Sequence, residues 1–421
     1  MINRRLIQAL GPGLMFAAIS VGVSHLVQST RAGALYGLAM LVFIFFGLLS
    51  KYPASRFGQQ YAVITGTTLL EGFRKQGKWS LVLVALITSS AMFTGVAAVT
   101  LVTAGIAKVA FGLQANPVFI SACILTCTML VLLIGKFHWL DISIKILVII
   151  MACSTLLATF FALPSIDWSV SGSLTPERFD LLTIMFIVGL VGWMPVPLDT
   201  VILQSIWTVA KARESKTEID WKTANIDFHI GYFGTAFLAV CFLLLGTALI
   251  HGTEIELQKS AAGFAAQLIG LYQQALGDWT KPIIAMASLA VMMSTVLTLV
   301  DGYPRSVAIL ILRFRGAENP AIQEDEKNMQ TVYLSAMLVL ITGAICIQMF
   351  FISSFTALIG FATAISFITA PIVAFLIHKA ITDPEIPLAK QPGHGLRIYS
   401  LICILILAVF ALCYIYLLLT T

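Results

Sequence analysis

Charge is what this sequence has least of. Of its 421 residues only 11% are Asp, Glu, Lys or Arg, while 59% are hydrophobic. Soluble domains carry about 25% charged and about 45–50% apolar residues. A water-facing surface for a chain of this length is therefore missing, which excludes a soluble enzyme or a nucleic-acid-binding module. No phosphate-cradling P-loop is present, so nothing points to a pump driven by ATP. The seven cysteines (Cys123, Cys127, Cys153, Cys241, Cys346, Cys403 and Cys413) all lie inside apolar runs, without metal-knuckle spacing. They read as small lipid- or helix-facing residues. A cleavable leader is not expected, because the run after Arg4 and Arg5 is punctuated by glycines and polar residues. It reads as a first spanning segment.

What the sequence has instead is apolar runs, such as 38–49, 142–163 and 398–419. About 20 apolar residues at a helical rise of 1.5 Å match the hydrocarbon thickness of a bilayer. The expected fold is all-α: a polytopic membrane protein in a single transmembrane domain. Eleven segments are placed at 7–32, 36–59, 79–109, 116–135, 140–163, 181–207, 228–250, 281–303, 331–350, 354–378 and 397–419. The long block 331–378 is divided near Ser353-Ser354, and 251–280 is left as a polar linker. Glu71, Arg74 and Lys75 read as an ordinary solvated inner loop.

Lysine and arginine fix an orientation. With the N-terminus inside, 20 of the 25 fall on the inner face, Lys51 among them. Arg31, Lys108, Arg178, Lys259 and Lys281 fall outside. That asymmetry is what the positive-inside bias predicts. A cell-membrane location follows, with a cytoplasmic N-terminus and, after an odd number of spans, an extracytoplasmic C-terminus. Trp79, Trp139, Trp168 and Trp279 lie near span ends, as interfacial rings do.

Two spans do not read as plain anchors. The first runs Gly11-Pro12-Gly13-Leu14, then Ser20-Val21-Gly22-Val23-Ser24-His25, then Gln28-Ser29-Thr30. The sixth runs Gly189-Leu190-Val191-Gly192-Trp193-Met194-Pro195-Val196-Pro197-Leu198-Asp199. Pro195 and Pro197 lack backbone donors and clash with the preceding turn, so the helix is expected to break there. Gly22 and Gly192 permit unwound backbone. Peptide groups freed at membrane depth must be buried in protein or line a wet cavity. The two breaks fall at corresponding places of a five-plus-five division, 1–163 and 181–378, with 397–419 as one helix more. That is the pattern of inverted-repeat transporters, whose site lies where two discontinuous helices meet. Two static kinks are the alternative.

At these residues the sequence resembles the NRAMP (natural resistance-associated macrophage protein) family. The likeness is carried by Gly11-Pro12-Gly13-Leu14, Ala32-Gly33 with Tyr36-Gly37, Ile64-Thr65-Gly66 and Met194-Pro195. The resemblance implies a LeuT-type fold with eleven or twelve spans and proton-coupled transport of divalent metals. The family's Asp-Pro-Gly-Asn signature lands on Gly22-Val23-Ser24-His25, and its Met-Pro-His on Met194-Pro195-Val196. The small residue that offers a carbonyl matches Val191. The acidic pair of the third span lands on Val96 and Val99, and the ninth span has no arginine matching the family's.

These departures remove every formal negative charge from the matched positions. Burying a dication uncompensated is prohibitively costly, and Mn²⁺ is ordinarily held by oxygen ligands. A rearranged metal site is therefore expected to draw on His25, Met194 and Asp199. The wider substrate-binding set is Gly22, Ser24, His25, Gln28, Val191, Trp193, Met194 and Asp199. No cofactor is expected beyond a transported divalent ion. His25 is either a satisfied packing residue or a direct contact that titrates near neutral pH. Asp199, a carboxylate at membrane depth, suggests function, and a capping role for the second half-helix is compatible. A pairing of Asp199 with His25 across the breaks is one hypothesis. Asp301 and Arg305 read as an ion pair or gate at the inner edge. Ser294 and Thr295 offer hydroxyls to a coupling ion or bond within their own helix. Gln28 and Ser29 are placed along the outer half of the pathway. The expected activity is secondary transport of a small solute, by default a divalent metal cation. The alternative is an organic solute, an amino acid or amine, for which Gly22 leaves space and Trp193 offers an aromatic face.

Overall fold

Apolar segments in a bilayer must satisfy their own backbone hydrogen bonds, and helices do so segment by segment. A computed structural model of the chain describes residues 16, 17, 19–134, 137–168, 173, 175, 176, 179–215, 220–253, 255, 258, 260–314, 326–351 and 354–420. For 137–148, 213–215 and 326–328 only the backbone is described. Gly11-Pro12-Gly13-Leu14 and Ser353 lie outside the described residues, as do Arg4, Arg5, Arg178 and Lys259. Among the described residues every regular element is helical.

The chain order is α1 (21–36), α2 (Met40–Thr65), α3 (Leu69–Lys75), α4 (Lys78–Phe111), α5 (Pro117–Ile134), α6 (Phe137–Ala162) and α7 (Leu181–Trp193). Then follow α8 (Thr200–Ser215), α9 (Trp221–Leu249), α10 (Ala261–Leu276), α11 (Lys281–Phe314), α12 (Glu326–Phe350), α13 (Phe355–Ile381) and α14 (His394–Thr420). Among the described residues eight helical stretches are long and apolar enough to cross a membrane, one of them running from α1 through α2. Shorter apolar helices cover Ile149–Ser165 and Leu181–Trp193. The described parts of the apolar segments read from sequence are helical, with residues 7–15 lying outside the described residues and 181–207 divided between α7 and α8. The block 331–378 divides as expected: α12 ends at Phe350, and Ser354 caps α13 by accepting from the Ala357 amide.

Two elements were not anticipated. The linker 251–280 contains α10, whose Phe264, Ala265, Leu268, Ile269 and Tyr272 are buried on one face. The segment at Glu71 is the short helix α3, and Glu71 is buried there rather than solvated. Its carboxylate takes Arg74 at 2.6 Å and Arg313 of α11 at 2.8 Å.

The break-bearing α1 packs on α9, the break-bearing α8 packs on α2, and α4 packs on α11. Glycine makes the first two crossings close. A Cβ added at Gly33 would stand 1.9 Å from the Leu243 carbonyl oxygen, and one at Gly246 2.1 Å from that of Thr30. At Gly58 it would stand 2.2 Å from Val201 Cγ1. Small residues that let backbones approach are the usual adhesive of membrane helices. Gln348 of α12 adds a polar tie, its amide nitrogen lying within hydrogen-bond reach of Ala97 O, Thr100 Oγ1 and Ser121 Oγ on α4 and α5.

Candidate functional site at the two breaks

The sixth span breaks where its prolines demand it. Asp180 starts α7 by accepting from the Thr183 amide, and the helix ends at Trp193. Met194 precedes a proline and is pushed to extended backbone, φ −91° and ψ 126°. Its peptide bond to Pro195 is cis. Helix resumes at Thr200, after Thr200, Val201 and Ile202 have bonded back to Pro197, Leu198 and Asp199. The first span breaks at Gly22, whose ψ of −133° is outside the helical range. From Val21 to Ser29 it is wound as a π-helix. Such windings loosen the backbone ladder and are frequent at functional sites. Ser24 lies between the two breaks: its hydroxyl donates to Ser20 O, and its oxygen stands 3.4 Å from Pro195 O and 2.9 Å from His25 Nδ1.

Between the breaks lies a cavity of about 30 Å³, room for one water or one ion. Ser24, Trp193, Thr200, Thr295, Tyr303 and Ser366 line its polar side. Most of these hydroxyls donate to a carbonyl of their own segment: Thr200 to Pro197, Thr295 to Val291, Ser366 to Ala362, Ser24 to Ser20. A hydroxyl whose proton is committed has acceptor lone pairs left. Trp193 Nε1 donates to Ser366 Oγ at 3.0 Å. Tyr303 donates to Asp199 Oδ2 at 2.7 Å, so the carboxylate stands behind the tyrosine rather than in the cavity wall.

The structure places the expected site residues unevenly. Ser24 and Trp193 line the cavity. Gly22 is pressed against α11, where a Cβ would stand 2.6 Å from Thr295 Oγ1. Val191 O accepts from the Met194 amide at 3.3 Å. Gln28 is buried near Gly189 and Thr363, and its Oε1 is without a hydrogen-bond partner. The metal set is not brought together. His25 bonds Thr235 O of α9 at 2.9 Å, and Asp199 takes Tyr303 of α11. Met194 lies against Gly47 of α2. The pairing of His25 with Asp199 is thereby corrected: each is engaged by a different helix. Among the described residues no group of three or more His, Cys, Asp or Glu is arranged to hold a metal. Ser294 and Thr295 bond within their own helix. Asp301 does form the ion pair with Arg305 and also accepts from Trp207 and Tyr333.

One residue was misplaced by sequence reasoning. Lys51, expected among the inner-face charges, is buried, with an exposure of 0%. Its Nζ enters the sixth-span break, donating to Gly192 O at 2.7 Å and Val196 O at 3.1 Å. Asp199 interacts with it electrostatically. The signal was available, since a lone lysine inside the apolar segment 36–59 is a functional candidate by default.

Comparison with known proteins agrees with this architecture. The manganese transporter of Eremococcus coleocola matches with a TM-score of 0.71 at 14% identity, over 97% of this chain and 86% of that one. MhsT, solved with L-phenylalanine, matches at 0.61 and 13%, over 97% and 98%. MHP1, a nucleobase-cation-symport-1 family transporter, matches at 0.56 and 14%, over 96% and 92%. These likenesses establish the LeuT-type transporter fold. An uncharacterized protein of Pasteurella multocida (strain Pm70) is 31% identical over 381 residues, 90% of this chain and 86% of its own length. The pattern of the natural resistance-associated macrophage protein-like family matches residues 13–420, and the chain belongs to that family, Nramp.

Proposed function

We propose that this Nramp-family secondary transporter carries a divalent metal cation by alternating access through the cavity between its two broken spans. The observation that carries the reading is the cavity wall. The hydroxyls of Ser24, Thr200, Thr295 and Tyr303 offer oxygen lone pairs on one side of a space of about 30 Å³ whose remaining wall is apolar (Ile19, Val23, Val99, Leu299), a footing for one small cation. The family and the manganese transporter sharing its fold support the same cargo. Ser24, Thr200, Thr295 and Tyr303 are the contacts, with Asp199 lending negative charge through Tyr303. The proposed setting is a cell membrane crossed eleven times, N-terminus inside. Within one transmembrane domain, 1–163 and 181–378 form the two repeats.

A second reading rests on one specific observation: among the described residues no carboxylate lines the cavity. A dication there has no direct countercharge, whereas an amino acid, neutral overall, needs none, although the space of about 30 Å³ must widen during the cycle to admit it. Flux into proteoliposomes decides. Saturable uptake of Mn²⁺, Fe²⁺, Cd²⁺ or Mg²⁺, falling at least about tenfold in Thr295→Val for a loss of about 1.4 kcal/mol, is the expected result. Uptake of an amino acid with no dication flux would transfer the site to the organic cargo. Binding without movement of either would reject transport.

A further inference from the structure

α7 ends with carbonyls that a continuing helix would have satisfied. Gly192 O would have accepted from the Val196 amide, and Val196 O from the Thr200 amide, had the helix run on. Instead Thr200 bonds Pro197 O, and the two orphaned carbonyls converge on Lys51 Nζ at 2.7 and 3.1 Å. The C-terminal end of a half-helix carries partial negative charge. In transporters with broken helices, such ends and the unwound carbonyls beside them coordinate the driving cation. Here the position is filled from within the chain.

We propose that Lys51 is a tethered cation, its amine occupying a cation site built by the Gly192 and Val196 carbonyls in place of a bound inorganic ion. The neighbourhood is made for it. One turn before Lys51 on α2, Gly47 lets the break come close: a Cβ there would stand 3.2 Å from both Met194 Cβ and Met194 O. The helix carrying the cation and the break receiving it are therefore held in register. Asp199 lies at the far end of the same break, where it accepts from Tyr303. The sixth-span break then needs no exchangeable ion, and α2 is latched to it through the whole cycle. This inference concerns the break itself and holds whichever cargo the neighbouring cavity takes.

The test is chemical rescue of purified full-length protein. Lys51→Ala removes the amine and the methylenes that carry it, leaving a space shaped for propylammonium. The expected result is a lowered melting temperature in Lys51→Ala and a saturable upward shift of about 2–5 °C with propylammonium. The wild type is expected to show no such shift, and neither is Lys51→Met, in which the space is filled. Tetrapropylammonium, which has no N–H to donate, is expected to leave Lys51→Ala unmoved. Should Lys51→Ala fail to fold, Lys51→Met decides alone. A melting temperature equal to wild type in that variant would overturn the proposal, and a marked fall that Lys51→Arg partly restores would support it. A propylammonium shift of equal size in wild type and Lys51→Ala would also overturn it.

Discussion

Valine at Gly246 will leave little folded protein, whereas alanine at Gly234 of the same helix will leave melting unchanged or slightly raised. The contrast comes from what each position faces. A Cβ at Gly246 would lie 2.1 Å from Thr30 O, 3.0 Å from Thr30 C and 3.1 Å from the Ala34 amide nitrogen. All three are backbone atoms of α1, so no side chain can swing away. The reciprocal site is equally tight, with Gly33 against Leu243 O and the Thr247 amide. Relief therefore requires α1 and α9 to separate along their crossing. That would also pull His25 from Thr235 O and Thr247 from Gly33 O. Overpacking a core typically costs about 1–3 kcal/mol when side chains can yield; against rigid backbone the upper end or beyond is expected. At Gly234 nothing lies within 4 Å, and alanine gains about 0.5–1 kcal/mol in a helix interior. Melting curves in detergent check both. Equal melting temperatures for Gly246→Val and wild type would mean that the α1–α9 crossing is looser than these distances describe.

How much of this was legible in the sequence varies with the kind of signal. The apolar segments were readable because hydrocarbon thickness sets a length that composition alone reports. Breaks at Gly22 and at Met194–Asp199 were readable because proline and glycine act locally on the backbone. The helix α10 was missed for the opposite reason. Its segment is shorter and less apolar than a span, and its amphipathic spacing at Phe264, Leu268 and Leu271 is lost when a window looks only for hydrophobic length. Side-chain partners were the least legible. Nothing local in the sequence directs His25 toward α9, Met194 toward Gly47 or Asp199 toward Tyr303, since each choice is made by the crossing of distant helices. Lys51 was hidden by a different assumption: positive charges were counted as surface markers, and one of them is buried at the centre of the break.

Asp199 carries the other large effect. It is 3% exposed, accepts from Tyr303 at 2.7 Å and ends the break into which Lys51 reaches. Asp199→Ala strips both roles at once, leaving a buried hydroxyl and a buried amine without their carboxylate. Leaving a buried hydroxyl unpaired costs about 1–3 kcal/mol, and a loss towards the upper end is expected here because the amine in the same break loses its nearby opposite charge as well. Tyr303→Phe removes only the hydroxyl bond to the carboxylate and should cost about 1.5–3 kcal/mol. Asp199→Asn keeps an acceptor for Tyr303 while deleting the charge, so it separates the two roles. The decisive comparison is a double-mutant cycle with Lys51→Met. If carboxylate and amine support each other across the break, the Asp199→Asn, Lys51→Met pair will lose less than the sum of the single losses. The expected coupling is about 0.5–3 kcal/mol, whereas independent sites add within about 0.3–0.5 kcal/mol. Additivity within that margin would mean that Asp199 serves Tyr303 alone, and that the amine in the break is held by its two carbonyls without help.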